Sequence, residues 1–260
     1  MSDINGKVAL ITGASSGLGA ATAILFARLG AKLSLTGRKE DNLKRTVDEC
    51  VRVSPAQAEQ PLMVLADLCA EADVTKLVDT TIEKFGRLDI LVNNAGVVEF
   101  GTIETASMEM FDRIMNINVR SVYRLTMLCA PHLIETRGNI VNVSSVGGTR
   151  TIMGMSVYCM SKSAVDMMTS SVALELAPKG VRVNSVNPGV FVSNIHQRGG
   201  VTGDAYDKLM EHMKEIHPLG RVGDAEEVAQ AIAFLASSNA SWVTGEQFHI
   251  DGGMHAVCAR

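Results

Sequence analysis

The sequence predicts an α/β protein: a single domain over residues 1–260, doubly wound around a seven-stranded parallel sheet with helices on both faces. Three observations carry this expectation. Short apolar runs recur at 8–11, 32–35, 62–65, 90–92, 140–143, 181–186 and 247–250. Longer segments with i, i+3, i+4 apolar spacing separate most of them, which is the pattern of helices covering a sheet. No linker, repeat or low-complexity tract interrupts the alternation, and the 47% hydrophobic content is spread along the chain.

Taken in order, the strand at 8–11 leads into a helix over 18–29, and the strand at 32–35 into one over 40–53. The third and fourth strands are followed by helices over 71–85 and 108–135, and the fifth by one over 157–177. Beyond the sixth strand, residues 190–219 have weaker periodicity, three glycines and many polar side chains, and are read as a mobile substrate flap with a short helix. A helix over 224–236 and the strand at 247–250 complete the set. Parallel strands joined by right-handed crossovers bind ligands beyond their carboxyl ends, so functional residues are expected just after strands.

The 24 basic and 28 acidic residues are interspersed, for a formal net charge of -4. Neither a nucleic acid nor a membrane surface is an expected partner. Five cysteines without a C-x-x-C pair fit free thiols in a reducing compartment better than a disulfide framework. The N-terminal residues lack the parts of a signal peptide, and no apolar run is long enough to span a bilayer, so a cytoplasmic location is expected.

The first strand runs directly into Thr12, Gly13, Ala14, Ser15, Ser16, Gly17, Leu18 and Gly19, and the next helix begins inside that motif. Glycines let the backbone turn tightly and approach a pyrophosphate, while exposed N–H groups and the dipole at the helix start favour the anion. Between a strand and a helix, the motif predicts the dinucleotide site of a Rossmann fold. In such a site a carboxylate after the second strand selects NAD by binding the ribose 2′-hydroxyl. This chain has Thr36-Gly37-Arg38-Lys39 there, and a guanidinium suits a 2′-phosphate. NADP(H) is therefore the preferred cofactor, with NAD(H) still compatible. The plainer alternative makes Arg38 a solvated residue at a helix start, partly neutralised by Glu40 and Asp41. Asp67, with Leu68 beside it after the third strand, is placed to accept a hydrogen bond from the adenine amino group. N-capping of the following helix is its second, compatible role.

Thr12-Gly13-x-x-x-Gly17-x-Gly19 is followed in order by Asn93-Asn94-Ala95-Gly96, Asn118, Ser145, Tyr158-x-x-x-Lys162 and Asn187-Pro188-Gly189. This set resembles the short-chain dehydrogenase/reductase family over nearly the full chain. Pro218-Leu219-Gly220-Arg221, Thr244-Gly245 and Asp251-Gly252-Gly253 are similar to its 3-oxoacyl-carrier-protein reductase-like members. The resemblance implies an oxidoreductase that interconverts a ketone and a secondary alcohol, with Asn118, Ser145, Tyr158 and Lys162 as its catalytic residues.

Those residues also make chemical sense alone. Tyr158 and Lys162 are four apart at the start of a helix and project from one face. A phenol with a pKa near ~10 needs a nearby cation to exchange protons at neutrality, and Lys162 can supply it; the resemblance adds a hold on the nicotinamide ribose hydroxyls. Ser145 is preferred over Ser144 for its family spacing to Tyr158 and the Val146-Gly147-Gly148 turn behind it, and is expected to bind the substrate oxygen. Asn118 aligns with the family asparagine of a water-linked proton relay; Asn116 is out of register. Asn94, Ala95 and Gly96 are expected to shape the backbone beside the cofactor, with Asn93 structural. Pro188, Gly189 and Val190 bring backbone to the nicotinamide, and Ser193 stands where the family usually has threonine. The six histidines form no H-E-x-x-H pattern or Cys/His array, so no metal is expected.

Val146, Met153, Met155, Val190 and Phe191 are expected to face the substrate, with Ile195, Met210 and Met213 as looser candidates. Together they suit a lipophilic ketone of 3-oxoacyl, steroid-like or isoprenoid type; ordinary core packing is the competing role for such methionines. Cys159 is read as a packed thiol in preference to a redox sensor. The resemblance also implies a homotetramer or homodimer formed through the two long helices and the last strand, with the C-terminal tail packed on a neighbour or frayed. Two other functions stand beside the first: an NAD-dependent alcohol dehydrogenase of the same fold, and a catalytically idle dinucleotide-binding scaffold or redox sensor, against which intact Ser145, Tyr158 and Lys162 argue.

Overall fold

The computed structural model describes residues 3–56, 58–191 and 202–257. Its strands are β1 (Val8–Ile11), β2 (Lys32–Gly37), β3 (Leu62–Leu65), β4 (Ile90–Asn93), β5 (Asn139–Val143), β6 (Arg182–Pro188) and β7 (Gln247–Ile250). They form one seven-stranded sheet in the order β3-β2-β1-β4-β5-β6-β7, and every pairing is parallel.

Successive strand side chains point to opposite faces, and the core divides accordingly. Ala9, Ile11, Leu33, Leu35, Ile90, Val92 and Val141 pack on α1 (Gly17–Arg28), α2 (Glu40–Val53) and a late helix, Ala225–Ala236. On the other face, Val8, Leu10, Leu91, Ile140 and Val183 meet α3 (Glu71–Phe85) and helices Ser121–Thr136 and Ser156–Leu176. Both faces being covered explains why the strands read as apolar runs and not as alternating ones.

The expected single helix over 108–135 is three pieces: α4 (Met108–Met115), a π-helical turn at Asn116–Arg120, and α5 (Ser121–Thr136). One turn of helix, α6 (Val146–Thr149), follows β5 and precedes α7 (Ser156–Leu176). Within the expected flap, α8 (Asp204–Ile216) is a thirteen-residue amphipathic helix, longer than anticipated. A loop then leads to α9 (Ala225–Ala236), which opens on an Asp224–Glu227 capping box. Ser193, Ile195 and His196 of the expected flap, and Cys258 of the tail, lie outside the described residues. No helix among the described residues is long and apolar enough to cross a membrane.

Strand order reverses direction between β1 and β4. In open α/β sheets the ligand crevice lies at such a switch point, outside the carboxyl ends of the strands.

Candidate active site

A cavity of about 490 Å³ opens at that switch point. Its polar end is walled by Gly13, Ser15, Ser16, Gly17, Leu18, Arg38, Asp67, Leu68, Asn94, Ala95 and Gly96. Thr12 and Gly19, expected as contacts, sit one layer behind. Thr12 Oγ1 accepts hydrogen bonds from the N–H groups of Asn94 and Ala95, each at 3.0 Å. Asn94 Nδ2 returns one at 2.8 Å to the Thr12 carbonyl, and Gly19 lies against Asn94 and the Gly13 carbonyl. The turns after β1 and β4 are thereby bolted together through main-chain groups. Gly13 is required there: its φ of +64° is left-handed, and a Cβ would come within 2.8 Å of Asn94 Nδ2.

The N-terminus of α1 faces this wall with no side-chain cap and no acidic residue in its first turn. Its exposed N–H groups suit an anion. Thr36 Oγ1 is buried, lines the cavity and has no hydrogen-bond partner, as a group awaiting a polar ligand would be. An uncapped helix start, a glycine cradle and an orphaned hydroxyl fit a dinucleotide. Asp67 does not cap α3, whose N-cap is Ala70. Its Oδ1 accepts from the Cys69 N–H at 3.0 Å in an Asx turn, so the N-cap reading is corrected while the carboxylate stays on the cavity wall.

The candidate catalytic residues gather where β5 ends. Ser145 caps α6 by accepting from the Gly147 N–H at 3.0 Å. Ser144 is spent differently, its hydroxyl donating to the Lys162 carbonyl at 3.2 Å. Tyr158 and Lys162, one turn apart on α7, both line the cavity. Lys162 Nζ donates to the Val143 carbonyl at 2.8 Å and stands 5.8 Å from the centre of the Tyr158 ring. Burial pushes the Tyr158 phenol up to about 12, with the Ser145 hydroxyl opposing it. Burial also pulls Lys162 down to about 8, against the pull of Asp166. Desolvation is the largest influence on Tyr158, and the Lys162 ammonium is anchored on the Val143 carbonyl.

Past Tyr158 the wall turns apolar. Val146, Met153, Met155, Val190, Phe191 and Met213 line it as expected, and Met210 does not. Sequence reasoning missed Val98, Phe100, Ile152, Leu209, His212, Ile216 and Met254.

A family model described as "Enoyl-(Acyl carrier protein) reductase" matches residues 13–255. The chain belongs to the short-chain dehydrogenase/reductase family. It is 38% identical over 252 residues to the 3-oxoacyl-[acyl-carrier-protein] reductase of Thermotoga maritima, covering 96% of this chain and 98% of that protein. The crystal structure of levodione reductase superposes with a TM-score of 0.93 at 33% identity, covering 98% of this chain and all of the other. A short-chain dehydrogenase/reductase from Caenorhabditis elegans, solved with cofactor, gives 0.91 at 32% identity, with 98% and 97% covered.

In this short-chain dehydrogenase/reductase Asn118 is placed differently from the other three expected catalytic residues. It is buried, does not line the cavity, and clamps residue 97: its Oδ1 accepts from the Val97 N–H and its Nδ2 donates to the Val97 carbonyl, both at 2.9 Å. Nδ2 also donates to Ser161 at 3.0 Å. The π-turn aims this side chain inward, a device often found at functional sites and invisible in helical periodicity. Asn93 is structural as expected, donating to Asn142 at 2.9 Å and Thr126 at 3.1 Å. Cys159 is buried beside Gly147, and burial raises its thiol, so thiolate is disfavoured. His217 joins α8 to the turn after β6. Its Nδ1 side meets the Met213 carbonyl, and Nε2 accepts from the Val190 N–H at 3.2 Å.

Proposed function

We propose that the chain is an NADP(H)-dependent reductase that interconverts a lipophilic ketone and a secondary alcohol, with Tyr158 as general acid and base. The observation that carries this reading is the convergence of Ser145, Tyr158 and Lys162 where the cavity wall changes from glycine-rich to apolar. A bound reduced nicotinamide supplies the hydride for the carbonyl carbon. Burial keeps Tyr158 protonated, the form that donates to the carbonyl oxygen, and the Ser145 hydroxyl is placed to hold that oxygen. The phenolate left behind faces Lys162 and regains its proton from solvent; alcohol oxidation runs the same transfers backwards. Asn118 supports the centre by fixing Val97 on the cavity wall.

Arg38 supports the choice of NADP(H). It is exposed on the cavity wall and makes no ion pair among the described residues, while Glu40 and Asp41 do not pair with it. NAD(H) remains the competing cofactor. Levodione reductase and the Thermotoga 3-oxoacyl reductase bear the names of ketone reductases, and the apolar wall suits a lipophilic ketone of acyl, steroid or isoprenoid type. The reading extends to a single cytoplasmic domain, since strands from both chain ends complete one sheet, and to a homotetramer. Met160, Met167 and Leu174 form an exposed apolar stripe on α7 at seven-residue spacing, and Trp242 is 98% exposed near β7.

The test is nicotinamide fluorescence during NADPH and NADH titration, followed by turnover on acyl, steroid and isoprenoid ketones. Tyr158→Phe is expected to lower kcat about 10²- to 10⁴-fold with NADPH binding retained; unchanged turnover would overturn the mechanism. Arg38→Asp is expected to reverse the cofactor preference, and an unchanged NADPH/NADH ratio removes Arg38 from the selecting role.

A further inference from the structure

The mechanism above makes no use of the most deeply placed carboxylate near the reaction centre. Asp166 follows Lys162 by one helical turn on α7 and is 3% exposed. A buried carboxylate is costly unless hydrogen-bonded and paired, and this one is met from three directions. Asn187 Nδ2, on β6, donates to Asp166 Oδ2 at 2.9 Å and to the Ser145 carbonyl at 3.1 Å. The Ser185 hydroxyl lies 3.2 Å from Asp166 Oδ1 and 2.8 Å from Asn187 Oδ1. The Ser144 hydroxyl shares its one proton between the Lys162 carbonyl and the carboxylate. Gly148 completes the enclosure: a Cβ there would collide with Asp166 Oδ2.

These contacts tie together the residues on either side of Ser145, the strand β6 behind it and the helix turn that bears Lys162. We infer that Asp166 is a positioning residue of the reaction centre: it sets the Ser145 main chain through Asn187 and keeps the Lys162 side chain charged. This rests on the reading of Tyr158, Ser145 and Lys162 as the reacting set. The charge reasoning is Coulombic. Burial pulls Lys162 down, and Asp166, one helical turn away on the same buried face and itself pushed up by burial, is the acidic group that opposes this. The other groups that face Lys162 are the Tyr158 ring on α7, the Val143 carbonyl from the end of β5, and Asn118 from the π-turn, across Gly96. From β7, the His249 imidazole feels the Asp166 charge.

The experiment reads Lys162 directly. Protein labelled with ¹³C at the lysine ε-carbon is titrated by NMR, with the Lys162 resonance assigned from Lys162→Arg. Asp166→Asn keeps the shape and the acceptor for Asn187, places an NH2 donor against the Ser185 hydroxyl and removes the charge, and is expected to shift the Lys162 titration down by about one pH unit, a roughly tenfold weaker hold on its proton. Ser185→Ala loosens the same network without changing charge and is expected to leave that titration in place. A Lys162 titration unmoved in Asp166→Asn, or moved equally by Ser185→Ala, overturns the proposal. Where Asp166→Asn does not fold, Asp166→Ser, which leaves a hydroxyl and space for water, gives the same readout. The basic limb of the pH profile for ketone reduction by NADPH should move with the NMR titration. A uniform fall in kcat without that movement marks a merely structural role and likewise overturns the proposal. The titration needs no turnover, so its outcome is separate from that of Tyr158→Phe, which tests the reaction itself.

Discussion

The two walls of the cavity are made of different material. The nucleotide wall is built from main chain: turns after β1 and β4 held by Thr12 and Asn94, and the open start of α1. The substrate wall is built from side chains of α8, of the residues after β6 and of the turn at Met254. Main-chain walls tolerate few sequences, because an added Cβ or a lost N–H acceptor breaks them. Side-chain walls accept almost any apolar residue of suitable volume. The first therefore constrains how a dinucleotide can bind, and the second is free to set which substrate enters.

The sharpest way to break this contrast is to add a side chain to the first wall. Gly13→Val meets both the left-handed backbone and Asn94, and is expected to weaken NADPH binding by about two orders of magnitude or more in fluorescence titration, the cost of strain plus a blocked approach. If binding is retained within a few fold, the wall is not rigid. Next comes pH. Reduction needs charged Lys162, so kcat/KM should hold through neutrality and fall above about 8, by about tenfold per unit on the limb. The KM for a neutral ketone should stay flat over that range, since Val146, Met153, Met155, Val190, Phe191 and Met213 of the apolar wall carry no charge. Met213→Ala acts on that wall alone, with an expected loss of about tenfold in kcat/KM for a bulky apolar ketone, on the scale of one buried side chain, and no change in NADPH affinity. Smallest is Thr12→Val, which leaves the Ala95 N–H without its acceptor and the Asn94 N–H with the Val92 carbonyl alone. A loss of about 1–3 kcal/mol is expected, read as a melting temperature lower by several degrees.

The same contrast governs what could be read from the sequence. Glycines at Gly13 and Gly17 and the Tyr158–Lys162 spacing record main-chain and helical-face constraints, so the sheet, the nucleotide wall and most of the reaction centre were legible. Leu209, His212, Ile216 and Met254 were not, because a residue on an amphipathic helix or in a terminal turn carries no mark of the cavity that tertiary packing gives it. Asp67 is legible as a cavity residue, and its alternative role as a cap fails because α3 starts later than its polar lead-in suggests. Asn118 was found by its family position; the π-turn that aims it has no periodic signature. Asp166 had a signal that went unused: it continues the four-residue stride of Tyr158 and Lys162 along the buried face of α7.

The π-turn has one more effect. Each residue of an α-helix advances about 100° around the axis, and a π-turn holds one residue beyond the regular count. The rod from Met108 to Thr136 is therefore rotated out of phase with itself at its middle. Its first half buries Ile114, while its second half turns Leu125, Cys129 and Leu133 to the sheet. A chain one residue shorter at this point would restore an unbroken helix, and one of the two halves would then present the wrong side.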